Sequence, residues 1–181
     1  MVECEAHLNT CEMYTRTNPN VWNLRASALI AQRRYEEAQP YLDMVINLDS
    51  QDSVARLSLS LLQLGMHRYE ECIATTEELM DMIRYKDMEQ LTYSLTFRKL
   101  LCLVMLERLD EARALVANYS PLLDAPLYYY SRAVFLYVEG ERKAALRELS
   151  TADSIFHGTG YLSGYRQALN VSGLTDREEQ D

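Results

Sequence analysis

Arg34-Tyr35-Glu36-Glu37-Ala38 recurs as Arg68-Tyr69-Glu70-Glu71-Cys72, 34 residues further along the chain. The shared pattern is an aromatic residue, two acids and a small residue. A fixed interval of this length, with an aromatic at a turn and a small residue just inside the next helix, marks an array of helical repeats. Used as a ruler, the small position falls at Cys4, Ala38, Cys72, Ala112 and Ala145, at intervals of 34, 34, 40 and 33 residues. The reason for a small residue there is steric, since two helices approach closely only where a short side chain sits at their crossing. The interval of 40 places extra length around Ile83 to Leu91.

Apolar residues at helical spacing predict the elements between these marks. Residues 2–16 form a first helix with Cys4, Leu8 and Cys11 on one face. Asn18-Pro19-Asn20 ends it and starts the next, with Asn18 as the cap and Pro19 in the first turn. Helices are then expected at 20–33, 35–48, 53–66, 69–84, 87–106, 109–118, 127–139, 141–156 and 161–172. Trp22, Ala26, Leu29 and Ile30 face inward on the first of these, and Ala38, Leu42, Val45, Ile46 and Leu48 on the second. Gly140 marks a turn, Gly158 and Gly160 break the chain, and the acidic residues 173–181 read as a frayed tail.

Composition narrows the class. Of 181 residues, 48% are hydrophobic and 25% charged, an ordinary globular balance with enough chain for one real core. Only 6 Gly and 4 Pro leave little room for linkers. The net charge of −9 repels phosphate and argues against a nucleic-acid partner. The four cysteines show no CxxC spacing, and Cys72 and Cys102 stand among apolar residues, so free thiols and a reducing compartment are expected. Met1-Val2-Glu3-Cys4-Glu5 does not open like a signal peptide, and no apolar run approaches the length of a membrane span. A cytoplasmic home is the expectation, with the periplasm as the alternative for a chain whose leader has been removed.

At this point the residues resemble the tetratricopeptide repeat (TPR) family. Trp22, Ala26, Leu29, Tyr35, Ala38, Leu42 and Val45 follow that family's alternation of large and small positions in unit 19–52, with Arg25 and Ser50 as departures. Unit 53–86 keeps Ser60, Tyr69, Cys72 and Leu79 but has Arg56 where a bulky residue is usual. Unit 87–124 departs most, with Leu100 for a small residue and Leu109 for the aromatic. Unit 126–158 keeps Tyr129, Ala133, Leu136, Gly140, Ala145 and Ala152. The resemblance implies an all-α, right-handed superhelix (an α-solenoid) of antiparallel helix pairs forming one domain over residues 1–172. Residues 1–18 become a half unit lacking its first helix, which exposes a face suited to self-association. Helix 161–172 becomes a C-terminal cap.

The resemblance also implies where a partner sits. The family binds along a concave face lined by first helices. Asn20, Asn23 and Ser27 are the polar groove positions of the first unit. Leu57, Leu61 and Leu64 follow in the second, Phe97, Leu101 and Met105 in the third, and Tyr130, Val134 and Tyr137 in the fourth. Such an apolar groove suits an amphipathic helix or an apolar peptide. Helix 161–172 folding back into the groove, or the long first helix of the third unit turning differently, is the alternative. A carboxylate clamp is disfavoured, because Arg98 and Arg132 alone do not supply one. In Tyr128-Tyr129-Tyr130 the rings point to different faces of a helix, so most of them belong to the core.

Motifs that carry chemistry are weak. Cys4, His7 and Cys11 share a helix face, but no fourth ligand is evident and packing explains both cysteines. Gly158-Thr159-Gly160-Tyr161-Leu162-Ser163-Gly164 follows no strand and precedes no Lys-Ser or Lys-Thr, so it is a helix break and not a phosphate loop. No catalytic arrangement stands out. The expectation is a non-catalytic scaffold or adaptor without cofactors, binding another protein or peptide, with a homodimer through the half unit or the groove in view. A small acidic chaperone of a secretion system and the interaction fragment of a larger enzyme or regulator are the alternatives.

Overall fold

The computed structural model describes residues 18–84, 88–120 and 126–179. The first expected helix, with Cys4, His7 and Cys11, lies outside the described residues. Within them the chain is all α-helical. The helices are α1 (Pro19–Ala31), α2 (Tyr35–Leu48), α3 (Ser53–Gly65), α4 (Tyr69–Ile83), α5 (Glu89–Met105), α6 (Leu109–Val116), α7 (Pro126–Val138), α8 (Arg142–Ile155) and α9 (Leu162–Ser172). A 3-10 helix, Leu174–Glu179, follows. Caps explain the clearest starts: Asn18 Oδ1 accepts from Asn20 N at 2.9 Å, and Asp52 Oδ1 from Val54 N and Ala55 N at 2.9 and 2.8 Å. The extra length of the third unit lies in α5, 17 residues long, and in the connection before it.

The turn inside each helix pair is the same turn four times. Arg33, His67, Glu107 and Gly140 all have positive φ, between 58° and 78°. In the first pair Arg34 N bonds Leu29 O at 3.0 Å and Arg33 N bonds Ile30 O at 2.9 Å. This is the paired 6→1 and 5→2 closure of a Schellman cap. The closure recurs with Arg68 N on Gln63 O, Arg108 N on Leu103 O and Glu141 N on Leu136 O. Three turns then carry an arginine clamp: Arg34 grips Glu37 through Nε and Nη2 at 2.7 Å each, Arg68 grips Glu71, and Arg108 grips Glu111 at 2.6 Å. The second acid of the repeated Tyr-Glu-Glu stretch is therefore bonded to the arginine that opens it. Those hydrogen bonds hold the carboxyls of Glu37, Glu71 and Glu111 below the ordinary carboxylate range.

Each pair closes on its small residue. Ala38, Cys72, Ala112 and Ala145 are all fully buried. Tyr35 lies so close to Gly65 that a Cβ there would stand 2.5 Å from its ring. Successive pairs then stack, α2 on α3 and α4 on α5, while α1, α3, α5 and α7 contact one another in a row. One core runs through the stack, and a smaller cluster of Leu79, Ile83 and Leu95 sits where α4 meets the start of α5. Two arginines at positions that the resemblance expects to be apolar are accommodated by their heads. Arg25 lies 5.1 Å over the Tyr41 ring, and Arg56 donates to Ser50 O at 2.8 Å and pairs with Glu78.

Three expectations change. Leu48, expected inside, is 64% exposed at the end of α2. Trp22 is half-buried. The segment expected to fray begins instead as a docked turn: Gly173 caps α9, Leu174 is buried, and Asp176 pairs with Arg33 at 2.9 Å. Replacing Ala38 by Leu should destabilise the protein by about 1–3 kcal/mol in urea unfolding, because the helix pair has no space for the added carbons. Ala114→Leu, at an exposed site on α6, should leave the midpoint nearly unchanged.

Candidate binding surface

The row formed by α1, α3, α5 and α7 is the face on which a partner was expected, and α9 lies across it. This helix packs on α3, α5 and α7. Its sequence explains why: Leu162, Tyr165, Ala168 and Leu169 recur at helical spacing and all are buried, while Ser163, Arg166 and Asn170 on the other side are exposed. Tyr165 is the anchor. Its ring centroid lies 5.2 Å from that of Phe97 and 5.0 Å from that of Tyr130, and Phe97 meets Tyr130 edge-on at 5.5 Å. Burial pushes the Tyr165 phenol well above its ordinary range.

Nine residues were expected to meet a partner. Leu61, Leu64, Phe97, Leu101, Tyr130 and Val134 are at most 5% exposed. Leu57, Met105 and Tyr137 are half-buried. The groove is therefore occupied by the chain's own C-terminal helix and is not an open channel. Its physical cause is the apolar face of α9, which gains more by covering α3, α5 and α7 than by standing in water. Of the polar groove positions, Asn23 is buried and Ser27 Oγ meets Ser58 Oγ at 3.3 Å. Tyr130 is core and its two neighbours are half-buried. Arg132 turns away to Glu148, 3.1 Å, and Tyr128, so it does not converge with Arg98.

Polar ties fix α9 at its edges. Arg33 Nη2 donates to Asn170 O and Oδ1 at 2.8 Å each, and Arg166 pairs with Asp153 of α8 at 2.7 Å. The N-terminal end of α9 comes close to α5 at Gly164, where a Cβ would lie 2.8 Å from Ser94 Oγ. Beside that contact a cleft of about 430 Å³ stays open between α1, α3, α5 and the start of α9. Arg98 lines it and is 4% exposed.

The candidate chemistry resolves in simple ways. Cys72 and Cys102 are free and buried, with the Cys72 thiol 3.0 Å from Ser60 O. The hydrogen bond with neighbouring Cys72, and then burial, push the Cys102 thiol up. Among the described residues no three His, Cys, Asp or Glu side chains are grouped to hold a metal ion, and no helix is long and apolar enough to cross a membrane. Comparisons with protein-family models, curated proteins and solved structures found no match.

Raised phenol groups tie stability to alkaline pH. Tyr165, by burial, and Tyr93, held at about 12 chiefly by its hydrogen bond to Glu89, bind their protons more tightly folded than unfolded. Their stabilisation is complete below the ordinary phenol pKa of about 10 and is lost as pH rises above it. Tyr165→Phe should move the alkaline unfolding midpoint to higher pH, followed by circular dichroism. An unchanged midpoint would place the responsible group elsewhere.

Proposed function

We propose that this chain is a non-catalytic protein–protein interaction module of TPR-like helix pairs, acting as a scaffold or adaptor. Its ligand is an amphipathic helix laid into the concave face of first helices. The observation that carries this reading is α9 itself. It is an amphipathic helix seated on that face, with an aromatic anchor in the pocket between Phe97 and Tyr130. An apolar face that accepts one such helix has the shape and chemistry to accept another with the same spacing. The likeness to tetratricopeptide repeats is supported by the four fully buried small residues and the four equivalent positive-φ turns, each set spaced 34, 40 and 33 residues apart.

In this reading α9 is a tethered competitor. A short tether gives it an effective concentration on the order of millimolar, so a free helix must bind tightly or α9 must be weakened first. Gly164 offers a way to weaken it, since a larger side chain meets Ser94. A labelled peptide spanning residues 160–176 should bind the Gly164→Leu chain in fluorescence anisotropy at least about tenfold more tightly than the unaltered chain. Helical circular dichroism should stay near that of the parent. Loss of helix without peptide binding would make the covered face ordinary core and would remove the basis for this reading.

A further inference from the structure

Arg98 carries a buried charge that no described carboxylate balances. Its Nη1 donates to Leu57 O at 2.7 Å and to Ser60 Oγ at 2.5 Å, both neutral acceptors. Its Nε is buried without a partner. Burial works against its charge, and the ionisable groups acting on it are the thiols of Cys72 and Cys102. A guanidinium does not give up its proton in a protein, so the charge persists, and a buried charge without a counter-ion is costly.

The cleft in front of Arg98 is built for an occupant. Ser27, Ser58, Ser94, Ser163, Gln90 and Gln167 line it. Ser58 Oγ is paired with Ser27 Oγ, and Ser163 Oγ donates to Gly160 O at 3.1 Å. Gln90 Oε1 is a second buried polar atom without a partner. Ile30, Leu57 and Leu61 supply an apolar wall. At about 430 Å³ the space is at the small end of organic-ligand sites. Arg98 is the single cationic residue among those lining it, which matches one negative charge and leaves a dianion half balanced. A planar carboxylate fits the forked donors of a guanidinium, and the apolar wall fits a short aliphatic body.

We propose that this cleft binds a small aliphatic monocarboxylate, with Arg98 as its counter-ion and the Ser94 hydroxyl as a further donor. The site adjoins the surface that α9 covers and shares Leu57 and Leu61 with it, but its charged end at Arg98 is its own. Its far wall is Gly160, Tyr161, Ser163, Gly164 and Gln167, so an occupant also ties the start of α9 to α5.

The test is calorimetric titration and thermal unfolding of the full chain with straight-chain acids from acetate to octanoate, with hexanamide and with inorganic phosphate. A mid-length acid should bind saturably and raise Tm, while hexanamide and phosphate do neither. Arg98→Met should weaken acid binding at least about tenfold, the loss expected for a charge-assisted hydrogen bond. Ser58→Phe fills the cleft and keeps the guanidinium, and should also lose the acid if Arg98→Met fails to fold. The proposal is overturned if no acid binds, if acid and amide bind alike, or if phosphate alone binds. It is also overturned if an ultraviolet thiolate signal, present in the parent and lost in Arg98→Met, shows that Cys72 balances the guanidinium.

Discussion

The structure depends on close approach of paired helices at four fully buried small side chains, Ala38, Cys72, Ala112 and Ala145. With each second helix pressed against its first, the connecting turn has room for three residues and adopts one geometry throughout, a Schellman cap with a left-handed residue. Identical turns and crossings place successive first helices side by side. The row they form is apolar along α3, α5 and α7, and α9 covers it. Local sterics at the crossings thus lead to the long-range packing of the C-terminal helix.

Much of this was legible in the sequence, for physical reasons that also show where legibility ends. Helix positions followed from period and turn signals, and α2 spans the residues expected of it, Tyr35–Leu48. Other bounds coincide or move by one or two residues, where ends fray. The left-handed turns were legible at Gly140 but hidden at Arg33, His67 and Glu107, because side chains other than glycine rarely adopt positive φ. The repeated acids do more than face water, since Glu37, Glu71 and Glu111 are each gripped by an arginine three residues earlier. That spacing is visible in the sequence as Arg-x-x-Glu.

The residues expected to line a groove are an apolar set in the sequence, but the set does not announce its occupant. Leu61, Phe97 and Val134 need covering, and a foreign helix and the chain's own helix satisfy that need equally. The signal for α9 was its own apolar stripe, Leu162, Tyr165 and Leu169, which is too strong for a helix with one side to water and no other neighbour. Arg98 was legible only as a lone arginine inside the run Leu95 to Val104. That no carboxylate among the described residues balances it is a three-dimensional fact. Together these features describe a helical array whose main surface is held by a tethered helix and whose edge keeps a small charged cleft.

Hydrogen exchange of the intact protein, resolved by segment, tests the central claim that α9 is a separable occupant of a face formed by other helices. Amides of α9 should exchange through a local opening, with protection well below that of α3 and α5, which keep their own partners when α9 leaves. Equal protection of α9, α3 and α5, lost together in one global unfolding step, would contradict the account and make α9 an inseparable part of the core.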